Sequence, residues 1–132
     1  MNLNRLANTH NAYQGKMKKV LSVCSAGLLR SPTIAFVLSN PPYNYNTRAC
    51  GVSSEYALIV ADLALVEWAD EIVCADHDHV PRIKELLKDE NISDPDKPVH
   101  CLELPDDYRT RDPKLIEIII KKVNNIPSLK PK

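Results

Sequence analysis

The hydrophobic positions of the chain fall into short β-branched runs separated by stretches with helical periodicity. The runs predict four strands, at residues 19–23, 46–50, 71–75 and 99–102. The stretches between and after them predict four helices, at about residues 31–39, 62–69, 80–88 and 113–124. Strand and helix therefore alternate along the chain, which predicts an α/β fold: a three-layer, doubly wound domain with a four-stranded parallel sheet.

Capping residues and prolines mark the predicted helix boundaries. Ser31 is the expected N-cap of the first helix, with Pro32 in its first helical position, and the Asn-Pro-Pro of residues 40–42 ends that helix. Asp62 is the expected cap of the second helix. Asp112, which is followed by proline, repeats the cap-then-proline start for the last helix.

Length and composition limit the classes of protein that need to be considered. The 132 residues suit one domain, and we expect residues 1–17 to be a poorly ordered extension and residues 18–132 to be a single α/β domain. Lys plus Arg equals Asp plus Glu at 17 each, which argues against nucleic acid or a membrane surface as a partner. No apolar run has the length of a membrane span and the N-terminus has no signal-peptide core, so a cytoplasmic location is expected.

The cysteines and histidines give little indication of a metal site. None of the four cysteines forms a Cys-x-x-Cys pair, which argues against a zinc site. We expect no metal and no cofactor. His77 and His79 flank an aspartate, but two histidines at a helix start are more often exposed to solvent than bound to metal.

The strongest chemical signal is a cysteine followed, after five residues, by an arginine and a serine. Cys24 ends the first predicted strand, and Arg30 and Ser31 stand where the first helix begins. A short loop leading into a helix can turn its backbone N–H groups inward and bind an anion, with help from the helix N-terminus. Arg30 offers a planar fork for two phosphate oxygens. The expected phosphate-binding residues are Ser25, Ala26, Gly27, Leu28, Leu29 and Arg30.

The same positive surroundings favour the thiolate form of Cys24, which is the attacking form of a cysteine nucleophile. The Ser31 hydroxyl can donate a hydrogen bond to this thiolate and later help the sulfur to leave. The same sequence pattern would arise from a buried cysteine at a strand end and a surface arginine on the first turn of a helix. The strand before the loop, the glycine within it and the Ser-Pro after it favour the phosphate-loop interpretation.

Residues 23–33, Val-Cys-Ser-Ala-Gly-Leu-Leu-Arg-Ser-Pro-Thr, resemble the phosphate loop of the low-molecular-weight protein tyrosine phosphatases. The resemblance covers about residues 18–124 and is greatest to a compact branch described as predicted protein tyrosine phosphatases. It includes Ala-Cys-Gly at residues 49–51, the third-strand region at residues 68–76 and the Pro-Asp-Asp-Tyr of residues 105–108. It implies the strand order 2-1-3-4. Gly27 replaces the usual loop asparagine and Leu29 the usual second cysteine.

The resemblance also implies a general acid after the fourth strand. Aligning the tyrosines places Asp106 on the catalytic aspartate of the family, and Asp107 is the alternative. A carboxylic acid on a loop beyond a strand end can protonate a leaving alkoxide or phenoxide, although Pro-Asp-Asp is also common in solvated turns. Tyr108 would form a wall of the pocket and stack on an aromatic substrate, with simple packing as the alternative. Asp76 matches an acidic family position and could order the acid loop or Arg30, although an aspartate at such a place is more often a turn or cap residue.

These observations predict a cysteine-dependent, metal-independent phosphatase of the low-molecular-weight type that acts on phosphomonoesters. Cys24, Arg30, Asp106 and Ser31 are its predicted catalytic residues. Its partner would be a phosphorylated protein, with phosphotyrosine as the first choice, or a small phosphomonoester, and the chain would be a monomer or weak dimer. Two alternatives stay open: an arsenate reductase on the same scaffold, and a binding module for phosphorylated ligands without turnover.

Overall fold

A parallel sheet forms the centre of the molecule. The computed structural model describes residues 17–24, 30–53, 61–105, 108–109 and 111–131. The strands are β1 (Lys19–Cys24), β2 (Asn46–Gly51), β3 (Glu71–Cys74) and β4 (Val99–Cys101). They pair in parallel in the order β2-β1-β3-β4, so both the predicted sheet and the predicted strand order are confirmed.

Helices cover both faces of this sheet. They are α1 (Arg30–Ser39), α2 (Leu63–Trp68), α3 (Val80–Leu87) and α4 (Pro113–Val123), with a 3₁₀ turn at His77–His79 before α3. One hydrophobic core joins a sheet face to α1 and α4, and a second core joins the other face to α2 and α3. The predicted three-layer α/β arrangement is therefore confirmed.

Two of the predicted helix caps are present, and the third is not. The side chain of Asp62 accepts a hydrogen bond from the Leu65 N–H, and that of Asp112 accepts one from the Lys114 N–H, both at 2.9 Å. The prediction that Ser31 is an N-cap is wrong, because α1 already begins at Arg30. The Ser31 hydroxyl bonds instead to groups at the ends of β1 and β2.

The sheet brings distant parts of the sequence to one edge. Because all four strands are parallel, their carboxyl ends lie together, and ligands of such folds bind at that edge. Cys24 ends β1 there, and Asp76 follows β3 by two residues. The chain after β4 continues along β3, since Leu102 N–H donates to the Cys74 carbonyl at 2.9 Å and Leu104 N–H to the Ala75 carbonyl at 2.7 Å.

The expectation of a poorly ordered N-terminal extension concerns residues 1–16 almost entirely, and these lie outside the described residues. Over the described ranges, none of the helices combines the length and apolar character needed to cross a membrane.

Candidate active site

Cys24 and Ser31 are in direct contact at the carboxyl edge of the sheet. The Cys24 side chain is almost fully buried, and its Sγ lies 3.1 Å from Ser31 Oγ. Ser31 Oγ also lies 3.2 Å from the backbone carbonyl oxygen of Cys50. The single hydroxyl hydrogen can therefore point to the carbonyl when the thiol is protonated, or turn to the sulfur when it is a thiolate. Ser31 is thus placed to donate to a Cys24 anion.

Arg30, the first residue of α1, points into the protein rather than into bulk water. It is only 7% exposed. Its Nη1 donates to the Leu104 carbonyl at 3.2 Å and lies 4.0 Å from Asp76 Oδ2. The guanidinium is therefore enclosed between the turn after β3 and the segment after β4, at the same edge as Cys24.

Asp76 caps the 3₁₀ turn that precedes α3. Its carboxylate accepts hydrogen bonds from the backbone N–H groups of His77 and His79, and its own N–H donates to His79 Nδ1 at 3.1 Å. The expectation that both histidines are exposed is wrong for His79, which is 1% exposed and whose ring is bonded within this turn. His77 is exposed and lies 2.6 Å from Glu103 Oε1.

The segment expected to carry the general acid is anchored on both sides. On one side Leu104 is buried and bonded to Arg30 and Ala75. On the other side the Arg111 N–H donates to Thr33 Oγ1 at 2.9 Å, and the Arg111 guanidinium lies 4.3 Å from the centre of the Phe36 ring. Leu104, before the predicted acids, is therefore bonded to α1 and to the turn after β3, and Arg111, after them, is bonded to α1.

Tyr108 lies within this span. It is partly buried and packs against the core that contains Cys24, Leu102 and Leu104. The two predicted acids, Asp106 and Asp107, lie outside the described residues, as do five of the predicted phosphate-binding residues. Those five are Ser25, Ala26, Gly27, Leu28 and Leu29. Among the predicted site residues that are described, the structure places Cys24 in contact with Ser31 and Arg30 near Asp76, both at the carboxyl edge of the sheet, and packs Tyr108 against the core that contains Cys24.

Burial disfavours the thiolate form of Cys50, Cys74 and Cys101. Burial raises the pKa of Cys50 far above the ordinary thiol value and raises the pKa of Cys74 to about 12. Burial also raises the pKa of Cys101, which is partly exposed. Within the described part of the chain, no three His, Cys, Asp or Glu side chains form a group suited to hold a metal ion.

Sequence reasoning missed two residues that support the site. Thr33 anchors the segment after the predicted acids, and nothing in the sequence predicts its contact with Arg111 because the two are 78 positions apart. His79 follows the capping Asp76 by three residues, which is the spacing of a capping box. That spacing could have identified His79 as the partner of Asp76.

Comparison with known proteins gives structural matches only. No model of a protein family matches the sequence, and no curated protein sequence matches it. The low-molecular-weight protein tyrosine phosphatase SP-PTP from Streptococcus pyogenes is similar at a TM-score of 0.63 and 20% identity, covering 85% of this chain and 92% of that one. The tyrosine phosphatase Wzb from Escherichia coli K30, in complex with phosphate, has a TM-score of 0.61 and 16% identity, covering 91% and 97%. Wzb from Vibrio vulnificus, in complex with benzylphosphonate, has a TM-score of 0.57 and 16% identity, covering 78% and 90%. The chain therefore has the fold of the low-molecular-weight protein tyrosine phosphatases.

Proposed function

We propose that the chain is a cysteine-dependent phosphatase that hydrolyses phosphomonoesters, with phosphotyrosine in proteins as its first substrate class. The observation that carries this proposal is the contact of Cys24 with the Ser31 hydroxyl, at the edge of the sheet where the Arg30 guanidinium is also enclosed. A nucleophile, a donor for its anion and a planar cation are the groups that transfer of a phosphoryl group to sulfur requires.

In the first step the Cys24 thiolate attacks phosphorus, so that an S–P bond forms while the P–O ester bond breaks. Arg30 and the backbone N–H groups of residues 25–30 stabilise the phosphoryl oxygens as charge shifts among them. Asp106, or Asp107 as the alternative, gives its proton to the leaving oxygen. The bonds of Leu104 to Arg30 and of Arg111 to Thr33 support this role, because they attach the positions before and after the acids to the helix that follows Cys24.

In the second step water hydrolyses the phosphocysteine. The carboxylate formed in the first step takes a proton from the attacking water, the S–P bond breaks and inorganic phosphate leaves. The Ser31 hydroxyl lies within hydrogen-bond distance of the sulfur and can stabilise the departing thiolate. No step requires a metal ion or a redox cofactor.

The proposal is tested by measuring hydrolysis of para-nitrophenyl phosphate and of a phosphotyrosine peptide. Cys24→Ser should abolish hydrolysis of both, and Asp106→Asn should lower kcat by about 100-fold. Cys101→Ser is the matched control, because this thiol is also at the carboxyl edge of the sheet but outside the proposed site. Hydrolysis by Cys24→Ser at the wild-type rate would contradict the proposal.

Comparison of substrates tests the preference for phosphotyrosine. Tyr108 is partly buried beside the core that contains Cys24, where its ring could contact an aromatic substrate. Tyr108→Ala should therefore raise KM for the phosphotyrosine peptide more than KM for a small alkyl phosphate. Equal changes in the two KM values would remove the support for an aromatic substrate.

The same assays distinguish the two alternatives. An arsenate reductase would need a relay of reactive thiols, but burial raises the pKa of Cys74 and of Cys101 and so disfavours their thiolates. Thioredoxin-dependent reduction of arsenate would reverse this ranking. Binding of phosphate without turnover at any pH would favour a module that binds phosphorylated ligands.

A further inference from the structure

The turn after β3 contains a histidine that is fully buried and held in one orientation. His79 is 1% exposed, and its Nδ1 accepts the Asp76 N–H at 3.1 Å. A ring nitrogen that accepts a hydrogen bond carries no proton, so the neutral ring must carry its proton on Nε2. His79 is thus a specific acceptor for one backbone N–H and not only a filler of the core.

The bond is half of a reciprocal pair that fixes the Asp76 carboxylate. The Asp76 side chain accepts from the backbone N–H of His79 and, through Oδ1 at 2.8 Å, from that of His77. Its other oxygen, Oδ2, lies 4.0 Å from Arg30 Nη1. The carboxylate is therefore held by the turn on one side and faces the guanidinium on the other.

Arg30 has a second partner that is itself fixed. Nη1 donates to the Leu104 carbonyl, and the Leu104 N–H is bonded to the Ala75 carbonyl, one residue before Asp76. The Leu104 carbonyl and the Asp76 carboxylate thus both depend on the chain that leaves β3. A guanidinium held in place before an anion arrives loses less conformational freedom on binding.

We propose that His79 is a positioning residue for Arg30. By accepting the Asp76 N–H it holds the Asp76 carboxylate in place, and that carboxylate orients the Arg30 guanidinium for a phosphoryl group. The catalytic consequence rests on the function proposed above, whereas the orientation of Arg30 does not.

The test compares His79→Leu, which removes the acceptor, with His79→Asn, whose side-chain oxygen can replace Nδ1. The probe is inorganic phosphate, as a competitive inhibitor of para-nitrophenyl phosphate hydrolysis. His79→Leu should raise the inhibition constant for phosphate about tenfold. His79→Asn should keep most of the wild-type affinity for phosphate, because its side-chain oxygen can accept the same hydrogen bond. His77→Leu and His77→Asn are matched controls, because His77 is exposed in the same turn, and they should leave the constant unchanged.

A double mutant separates positioning from general stability. If His79 acts through Asp76, then adding His79→Leu to Asp76→Asn should change the inhibition constant for phosphate less than about twofold. Full additivity of the two losses would overturn the proposal. So would equal losses in His79→Asn and His79→Leu. Should His79→Leu fail to fold, His79→Gln replaces it, since its polar group lies nearer the position of Nε2 than that of Nδ1.

A second readout needs no turnover. In ¹⁵N-labelled protein, the guanidinium hydrogens of Arg30 should exchange with solvent faster in His79→Leu than in the wild type or in His79→Asn. Unchanged Arg30 signals would overturn the proposal even in an active enzyme. A wild-type protein without hydrolysis would refute the proposed function, whereas the same spectral differences in that protein would still support positioning by His79.

Discussion

A buried carboxylate at the amino end of β3 is expected to stabilise the fold. Glu71 is 4% exposed. Its Oε2 lies 2.5 Å from Lys18 Nζ, and its Oε1 lies 2.7 Å from His100 Nε2 and 2.6 Å from Ser128 Oγ. Burial acts to raise the pKa of Glu71, but the hydrogen bonds from Lys18, Ser128 and His100 outweigh it and hold the pKa below its ordinary value.

Glu71→Gln replaces this carboxylate by an amide and so removes the negative charge that Lys18, His100 and Ser128 contact. Removal of one partner from a fully buried ion pair costs roughly 3–5 kcal/mol. Lys18 is one-third exposed and keeps its bond to the Ser128 carbonyl at 2.7 Å, so part of its charge stays solvated. We therefore expect a loss of about 2 kcal/mol. For a domain of this size that lowers Tm by about 6–10 °C.

The loss should depend on pH in a defined direction. A carboxyl group whose pKa is lowered by folding adds stability that is complete above its unfolded pKa, and this stability disappears as the pH falls through the folded pKa. The Tm difference between wild type and Glu71→Gln should therefore be largest at pH 7 and shrink between about pH 5 and pH 3. Thermal unfolding followed by circular dichroism measures it.

Glu117→Gln, on the exposed face of α4, is the matched control and should have the wild-type Tm at both ends of this range. If Glu71→Gln and Glu117→Gln unfold at the same temperature at pH 7, the assignment of Glu71 as a stabilising group is wrong. A difference that does not change with pH would show that packing, and not the charge, causes the loss.

Three further predictions concern the site and the sheet beneath it. Thr33→Val removes the acceptor of the Arg111 N–H, so kcat should fall about tenfold with little change in KM. An unchanged kcat would show that this hydrogen bond does not contribute to catalysis. Ser22 Oγ is buried without a hydrogen-bond partner in the described structure, so Ser22→Ala should raise the free energy of unfolding by about 1 kcal/mol in urea, and a decrease would contradict this. At pH 7 iodoacetamide should label Cys24 but not Cys50, whose pKa burial raises; mass spectrometry of tryptic peptides tests this, and equal labelling would refute it.

The fold could be predicted from sequence because its signals are local. β-branched runs gave strands close to their observed bounds, and aspartates at residues 62 and 112 predicted two helix starts through bonds to residues two or three positions away. Ser31 carries the same capping signal, but its hydroxyl is bonded to Cys24 and Cys50, at the ends of two neighbouring strands. A local rule failed there because a tertiary contact competes for the same group.

The candidate site could be predicted only in part, since most of its contacts join residues far apart in the sequence. The Cys24-to-Arg30 spacing indicated an anion site, yet nothing near Arg30 predicts that its guanidinium meets the Leu104 carbonyl, 74 positions away. Similarly, the burial of His79 follows from the packing of α3 and the turn after β3, and not from the polar sequence around it. Contacts of this kind depend on strand order, which brings the ends of β1, β3 and β4 together.

The segment between Leu104 and Arg111 is held at both ends by its main chain. The anchors are the N–H and carbonyl of Leu104 and the N–H of Arg111, with Arg30 and Thr33 supplying the side chains that bind two of them. Backbone N–H and carbonyl groups are common to most residue types, so these hydrogen bonds do not depend on the side chains that Leu104 and Arg111 carry. The side chains that fix the geometry belong to α1, the helix that follows Cys24 and begins with Arg30. One helix therefore carries Arg30, the expected anion-binding residue, and also binds Arg111, which follows the predicted proton donors, so both halves of the proposed reaction would depend on α1.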